Sequence, residues 1–512
     1  MRPNLLPAKI AFGEVVMKGY LLALDQGTTS SRAVLYTAAG ETACIRSRPV
    51  TQYYPQPGWV EHDAMEILGS QVEAVRDVLH DSGVRPEEIA ALGIANQRET
   101  VVVWDRKTGE PVHRAIVWQC RRTADICTRW REDGLEPMLR ERTGLVADAY
   151  FSGTKLQWLL QKVPGLRERA IRGELLAGTV DTWLVWNLTG GRCHVTDPSN
   201  ASRTLLYNIH KMDWDPELLA LTSVPSSMLP RVVPSSGRVG ETSPEWFGAA
   251  IPIAGMAGDQ QASLFGQGCV MPGSIKNTYG TGCFILMNTG GNPVYSANRL
   301  LTTVAWDIGQ GPVYALEGSV FNAGSAIQWL RDGLGMIGTA KEADELAETV
   351  PDAAGAFFVP AFTGLGAPWW DMYARGTMTG LTRGTTKAHF VRAVLESIAY
   401  QSRDVFEAMV SDFGQPIWQL RVDGGASNSN MLMQFQSDLI GLDVLRPLNI
   451  ETTAAGAAAL AGLAVGMTDS GSGGPGCAIG RIFSPGMERE TASRLQEQWR
   501  KAVKRSLHWI DS

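Results

Sequence analysis

Three times along this chain an apolar, extended-looking run ends in a turn that pairs an aspartate with glycine. They are Asp25-Gln26-Gly27-Thr28-Thr29 after 20–25, Gly258-Asp259-Gln260-Gln261 after 253–257, and Asp423-Gly424-Gly425-Ala426 after 417–423. Glycine lets backbone N–H groups close on phosphate oxygens, and threonine adds hydroxyl donors. An aspartate at a strand end can hold a hydrated Mg²⁺ or take a proton. A single such turn is commonly a structural hairpin. Three in this order fit phosphoryl transfer from ATP and commit the chain to an α/β fold.

The intervening sequence supports that class. Beyond the first turn, residues 33–36 and a stretch past Gly40 continue as strands. Asp63 with Glu66 three residues on forms a capping-box pattern, and Met65, Leu68, Val72, Val75 and Leu79 recur at helical spacing. Strands are expected over 89–95, 101–104 and 112–118, then a restart of strand, turn and strands over 253–288. Pro225, Pro230 and Pro234 precede this restart, which places a boundary near 250 between two related halves facing a cleft. Helices are expected over 385–411 and 428–440, and a flexible surface loop over 471–476.

Composition narrows the partners. With 46 basic and 52 acidic residues the chain carries −6 and has no basic stripe, which disfavours nucleic acid. Seven cysteines without CxxC spacing read as reduced thiols of a cytoplasmic protein, and no histidine pattern suggests zinc. The uncharged, alanine-rich run 452–468 is too short and too weakly apolar for a membrane span and reads as a buried helix. Residues 1–18 lack a secretory pattern and read as an N-terminal extension. No GxxxxGK[ST] occurs, and the protein-kinase reading fails for want of an HRD catalytic loop. One GxGxxG, Gly333 to Gly338, follows a helical rather than a strand pattern.

Seven blocks then carry a resemblance to the FGGY carbohydrate kinases over about residues 19–510: Ala23 to Arg32, Asn96-Gln97-Arg98-Glu99-Thr100, Ile116 to Arg122, Gly153-Thr154-Lys155, Ala257 to Gln261, Tyr279 to Phe284 and Phe362 to Pro368. The resemblance implies two actin-like, ribonuclease-H-like domains (19–251 and 252–512) flanking an ATP/substrate cleft. It also implies ATP-dependent phosphorylation of glycerol to sn-glycerol 3-phosphate, a step of glycerol catabolism, with Mg²⁺ as cofactor and a homodimer or homotetramer as the assembly. A kinase for another polyol or a ketose, and a non-catalytic actin-like nucleotide-binding module, are the competing readings.

Carried over residue by residue, the resemblance makes Asp259 the general base and places Asp25 and Asp259 at the metal. Thr28, Thr29, Ser30, Arg32 and Thr281 meet the phosphates, and Gly324, Gln328, Gly425 and Ser429 the adenosine. Arg98, Glu99, Tyr150, Asp259 and Gln260 would bind the polyol, with Trp118 and Phe284 against its carbons. Ser429 stands where the family commonly has asparagine. Phe247-Gly248-Ala249-Ala250 replaces the glycine-and-arginine loop with which inhibited members bind a sugar bisphosphate, so inhibition by fructose 1,6-bisphosphate is expected to be weak or absent. The region 471–494 departs from members that bind a transport-system regulator, and that partner is not carried over.

Overall fold

The computed structural model describes residues 19–469, 471, 474, 475 and 477–510. The expected extension at 1–18 lies outside the described residues, as does part of 471–476. Within that stretch Gly474 is buried and its N–H donates to Gly266 O at 2.9 Å, so it packs against the body.

Two sheets organise the chain. The first runs β5-β6-β4-β1-β2-β3, built from β1 (Tyr20–Gln26), β2 (Ser30–Thr37), β3 (Thr42–Pro49), β4 (Ile89–Asn96), β5 (Ser236–Glu241) and β6 (Pro252–Gly258). β1 is buried on both faces. Leu22 and Leu24 pack into a core shared with helix α1 (Ala64–Ser82), while Leu21 and Ala23 face the middle of the molecule. This is why it reads as an unbroken apolar run. In α1, Asp63 caps Met65 N and Glu66 N as expected, but Glu66 accepts from Thr51 N instead of closing a capping box. The buried stripe runs through Ile67, Leu68, Val72, Val75 and Val78, and Met65 is exposed. Of the strand expected over 112–118 only Ala115–Ile116 forms. Helix α2 (Ser152–Lys162) stands beside this sheet's functional end.

The second sheet repeats the plan. Its order is β9-β10-β8-β7-β11-β12-β13, from β7 (Ile275–Tyr279), β8 (Cys283–Gly290), β9 (Leu301–Asp307), β10 (Pro312–Val320), β11 (Gln419–Asp423), β12 (Asp443–Pro447) and β13 (Ile479–Phe483). In each sheet an antiparallel hairpin, β1-β2 or β7-β8, is followed by strands parallel to its first member: β4 and β6, or β11 and β12. Helix α3 (Asp259–Gly266) follows β6, and the second half includes helices α4 (Gly324–Gln328), α5 (Lys387–Phe413), α6 (Asn430–Ile440), α7 (Thr452–Ala464) and α8 (Arg489–Ser506).

The boundary expected at 251/252 is corrected here. β6 hydrogen-bonds in parallel to β4 and so completes the first sheet. The repeated hairpin begins at β7 with its turn Gly280-Thr281-Gly282. Asp412-Phe413-Gly414 spells the protein-kinase metal triplet, yet it ends α5. Gly414 (φ 69°) is the left-handed cap, and Asp412 accepts from Ala297 N at 3.0 Å.

α7 crosses between the halves. It lies against the first sheet and α3 in a cluster that also takes Leu286, Ala305 and Ala315 from the second sheet. Its small residues are required by close approach. A Cβ on Gly456 would stand 1.8 Å from Ala262 O, and one on Gly93 would stand 2.0 Å from Ala457 O. α3 and α7 thus form the shared spine, and the strand ends of both sheets open on one cleft.

Candidate active site

The first wall is the β1-β2 turn. Gly27 N donates to Ser30 O at 3.0 Å, and Thr29 is exposed at the tip with Thr28 and Ser30 half-buried. Asp25 stands one residue before the end of β1 with Arg32 Nη1 3.8 Å away, and Arg32 also pairs with Glu451 at the head of α7. Burial pushes the Asp25 carboxyl up to about 7. Arg32 opposes the rise, and the Glu451 and Asp259 carboxylates add to it. Gln97 N donates to Gln26 O at 2.7 Å, which ties the turn to the block that follows β4.

That block supplies Arg98 and Glu99, both buried. Arg98 donates to Glu317 from Nη1 (2.5 Å) and Nη2 (3.1 Å), and Nη2 also reaches the Tyr150 hydroxyl at 3.3 Å. Glu99 sits at φ 61°, a costly left-handed conformation for a glutamate. Arg203 Nε holds its carboxylate at 2.6 Å, and Ser152 Oγ and Lys155 Nζ hold its carbonyl at 3.1 and 3.0 Å. The Gly153-Thr154-Lys155 block is thus a brace for Glu99. Burial lowers Lys155 to about 7.

Sequence reasoning missed Arg203 and Glu317. Burial alone would raise Glu317, but the Arg203 and Arg98 guanidiniums outweigh it and bring the carboxyl down to about 2. Glu317 lies on β10 of the second sheet and its two partners belong to the first half, so it clamps the floor of the cleft from across it. The signal was present: Glu317 is the single charge in the strand Pro312–Val320.

Asp259 opens α3 at the end of β6. Its Oδ1 takes Arg98 Nε at 3.3 Å and Gln260 N at 2.8 Å. The Asp259 side chain is 28% exposed against 1–2% for Arg98 and Glu99, so it is the carboxylate of the group that opens to the cleft. Above it stand three aromatic rings. Trp118 lies 5.6 Å from Tyr150 and 6.3 Å from Phe284, both edge-on, and Arg98 is 5.9 Å from the Phe284 centroid. Trp118 Nε1 also donates to Thr28 Oγ1 at 2.9 Å, which joins this box to the phosphate turn.

The opposite wall is the β7-β8 turn docked on α4. Gly324 N and Ala323 N donate to Gly280 O (3.0 Å) and Thr281 O (2.9 Å), and the Thr281 side chain is exposed. A Cβ on Gly324 would stand 2.6 Å from Gly280 O, which is why glycine opens α4. Gln328 is exposed at the end of that helix, and Gly425 after β11. Ser429 needs correction. Its hydroxyl donates to Asp344 Oδ1 at 2.6 Å and accepts from Leu432 N at 3.0 Å as the cap of α6, so it is committed to the fold. Exposed Asn428 is the polar side chain beside it.

The arrangement offers a hydroxyl-rich turn, a carboxylate beside a buried guanidinium, and a cluster of three aromatic side chains. Known proteins resemble the chain in sequence and fold. Residues 20–266 match the FGGY family of carbohydrate kinases, N-terminal domain, and residues 275–465 match its C-terminal domain. A protein of Halorhodospira halophila named glycerol kinase is 60% identical over 96% of this chain and 97% of its own length. A Thermotoga maritima protein named glycerol kinase 2 is 59% identical over 96% and 99%. The crystal structure of Plasmodium falciparum glycerol kinase with ADP superposes with a TM-score of 0.89 at 34% identity, covering 97% of this chain and 99% of that one. A ligand-bound xylulose kinase from Lactobacillus acidophilus, at 22% identity and TM-score 0.84 over 95% and 97%, shares the fold. On its sequence, its two-sheet architecture and its cleft, the chain belongs to the FGGY family of carbohydrate kinases.

Proposed function

We propose that this chain transfers the γ-phosphoryl group of ATP to a terminal hydroxyl of glycerol, giving sn-glycerol 3-phosphate and ADP. The observation that carries the reading is the Asp259–Arg98 pair on the floor of the Trp118, Tyr150 and Phe284 box. A triol offers hydroxyls that both donate and accept, which suits a fixed guanidinium beside carboxylates, and its few CH groups suit aromatic walls. The names of the relatives agree with it.

In this reading Asp259 accepts the hydroxyl proton as that oxygen forms its bond to the γ-phosphorus and the bond to the ADP oxygen breaks. Most of the rate comes from alignment and charge neutralisation. Arg98, Tyr150 and Gln260 orient the triol, and Thr28, Thr29, Ser30, Arg32 and Thr281 receive the phosphates. Gly324, Gln328 and Gly425 form the adenosine wall. Mg²⁺ fits the residues present: the Asp25 carboxyl is raised by burial beside two further carboxylates with Arg32 as their cation, an all-oxygen donor set suited to a hard ion. Among the described residues no three acidic, histidine or cysteine groups converge as direct ligands, so Asp25 and Asp259 would hold the ion through its waters. When bound, the ion would neutralise charge on the phosphates.

No helix among the described residues is long and apolar enough to cross a membrane. A cytoplasmic site suits an enzyme that consumes ATP, and two or four copies are the assembly expected of the family. The test is Mg²⁺-dependent ADP release against glycerol, dihydroxyacetone, xylulose, ribulose and no acceptor. Glycerol is expected to give the largest kcat/KM. A larger value for a five-carbon sugar, or acceptor-independent hydrolysis, overturns the reading.

A further inference from the structure

Lys276, the second residue of β7, is fully buried behind the site and has no role in the chemistry above. Its Nζ lies 2.6 Å from Gln260 Oε1 and 2.7 Å from Thr278 Oγ1. Gln260 Nε2 in turn donates to Asp259 Oδ2 at 3.3 Å. We propose that Lys276 is a positioning residue for phosphoryl transfer: by holding the oxygen end of the Gln260 amide, it dictates that the N–H end faces Asp259 and the acceptor hydroxyl. The inference rests on the phosphoryl-transfer reading above.

The chemistry of the three groups forces this orientation. An ammonium has only donors, a carboxylate only acceptors, and a primary amide has one end of each kind. Between Lys276 and Asp259 the amide therefore has one satisfying orientation, and a flip would set N–H against N–H and O against O. Without the lysine, only the 3.3 Å contact to Asp259 opposes a flip, and the amide is held from one side alone. No carboxylate lies within ion-pair distance of Nζ among the described residues. The charges around it are Asp423 from β11, Asp259 from α3, Glu317 from β10 and Arg98 from the block after β4, and burial brings the lysine down to about 8. A buried cation without a direct counter-ion is costly, and a methionine would fill the same space at less cost. Packing alone gives no reason for lysine here.

A double-mutant cycle on the full chain tests this with Lys276→Met, Gln260→Ala and the double variant, reading kcat and KM for glycerol and KM for ATP. Displacing a positioned group by about 1 Å costs on the order of 10²-fold. Lys276→Met is thus expected to lower kcat/KM for glycerol about 10²-fold with KM for ATP within about two-fold. In the Gln260→Ala background the same change should cost less than about three-fold. Equal losses in both backgrounds would overturn the proposal. Should Lys276→Met fail to fold, Gln260→Glu answers alone: it keeps a partner for the ammonium but removes the N–H donor. It is expected to lose as much as Lys276→Met, and near-normal turnover would overturn the proposal. An active wild type with an additive cycle sinks only the role of Lys276. A wild type inert toward every acceptor sinks that role and the functional reading together.

Discussion

Replacing Glu317 by glutamine should damage stability and catalysis together, and the size of the damage follows from the charge balance of the cleft floor. Arg98 and Arg203 face Glu99 and Glu317, all four almost fully buried, two charges of each sign. The Glu317 carboxylate accepts three N–H groups, at 2.5, 3.1 and 3.0 Å. Glutamine removes one negative charge and turns an acceptor into a donor aimed at a guanidinium. Breaking one side of a buried pair costs about 3–5 kcal/mol. At about 2–4 °C per kcal/mol for lobes of this size, the melting temperature should fall by roughly 6–20 °C. Arg98 keeps its 3.3 Å contacts to Tyr150 and Gln261, so its orientation loosens, and kcat/KM for glycerol should fall about 10²-fold. Calorimetric melting and steady-state kinetics on one preparation read both. Replacing Arg203 and Glu317 together by methionine keeps the charge balance and should recover much of the melting temperature but little activity. A Glu317→Gln protein that melts within about 1 °C of wild type and turns over within two-fold would refute the reasoning.

Three further outcomes are expected. Gly456→Ala places a Cβ 1.8 Å from the Ala262 carbonyl and should lower the melting temperature sharply, whereas Gly69→Ala, with nothing within 4 Å, should be neutral or stabilising; equal melting of the two would contradict the α3–α7 packing. Burial brings His62 and His194 down to about 4 from 6.5, so the unfolded chain takes protons that the folded one refuses; their contribution is full above pH 6.5 and is lost as pH falls toward 4. Asp25 and Glu396, raised to about 7, act with the opposite sign, so the readout is a difference: a His62→Gln, His194→Gln variant should lose less stability than wild type between pH 6.5 and 4, and an equal loss would contradict the shifts. Fructose 1,6-bisphosphate at millimolar concentration should leave the rate unchanged, because the short helix Pro244–Phe247 and its cap Gly248 (φ 89°) lead to Ala249 and Ala250 with no guanidinium among them; clear inhibition would contradict this.

What could be read before folding was whatever is local. The turns at Gly27, Gly258 and Gly424 were legible because glycine and an acid stand together at the end of an apolar run, and Asp259 took its role from the resemblance carried by the blocks around it. β1, β4 and α1 follow from short-range apolar patterns. The boundary at 251 failed because β6 ends in an acid-and-glycine turn like the one that opens the chain, and only pairing with β4 assigns it to the first sheet. α7 was legible as a buried helix. That it is buried against a sheet whose strands all lie within residues 20–258 is written only in complementary small residues, Gly93, Gly255 and Gly456, which no periodicity reveals. Arg203, Lys276 and Glu317 were missed because each lies outside the blocks that carried the resemblance, and only folding brings them to the site. Charges are costly to bury, and here all three lead to the reacting groups. Ser429 went the other way: it sits at a helix start, where a serine hydroxyl is consumed by capping.

The most direct test of the central claim is the rate of the chemical step with Asp259→Asn, measured in single turnover with γ-labelled ATP, Mg²⁺ and saturating glycerol. Loss of a positioned base is worth about 10² to 10⁴ in rate. The account predicts a fall of that size with glycerol and ATP affinities within about ten-fold of wild type. An unchanged rate would show that Asp259 does not receive the proton and that the floor of this cleft is not where phosphoryl transfer occurs.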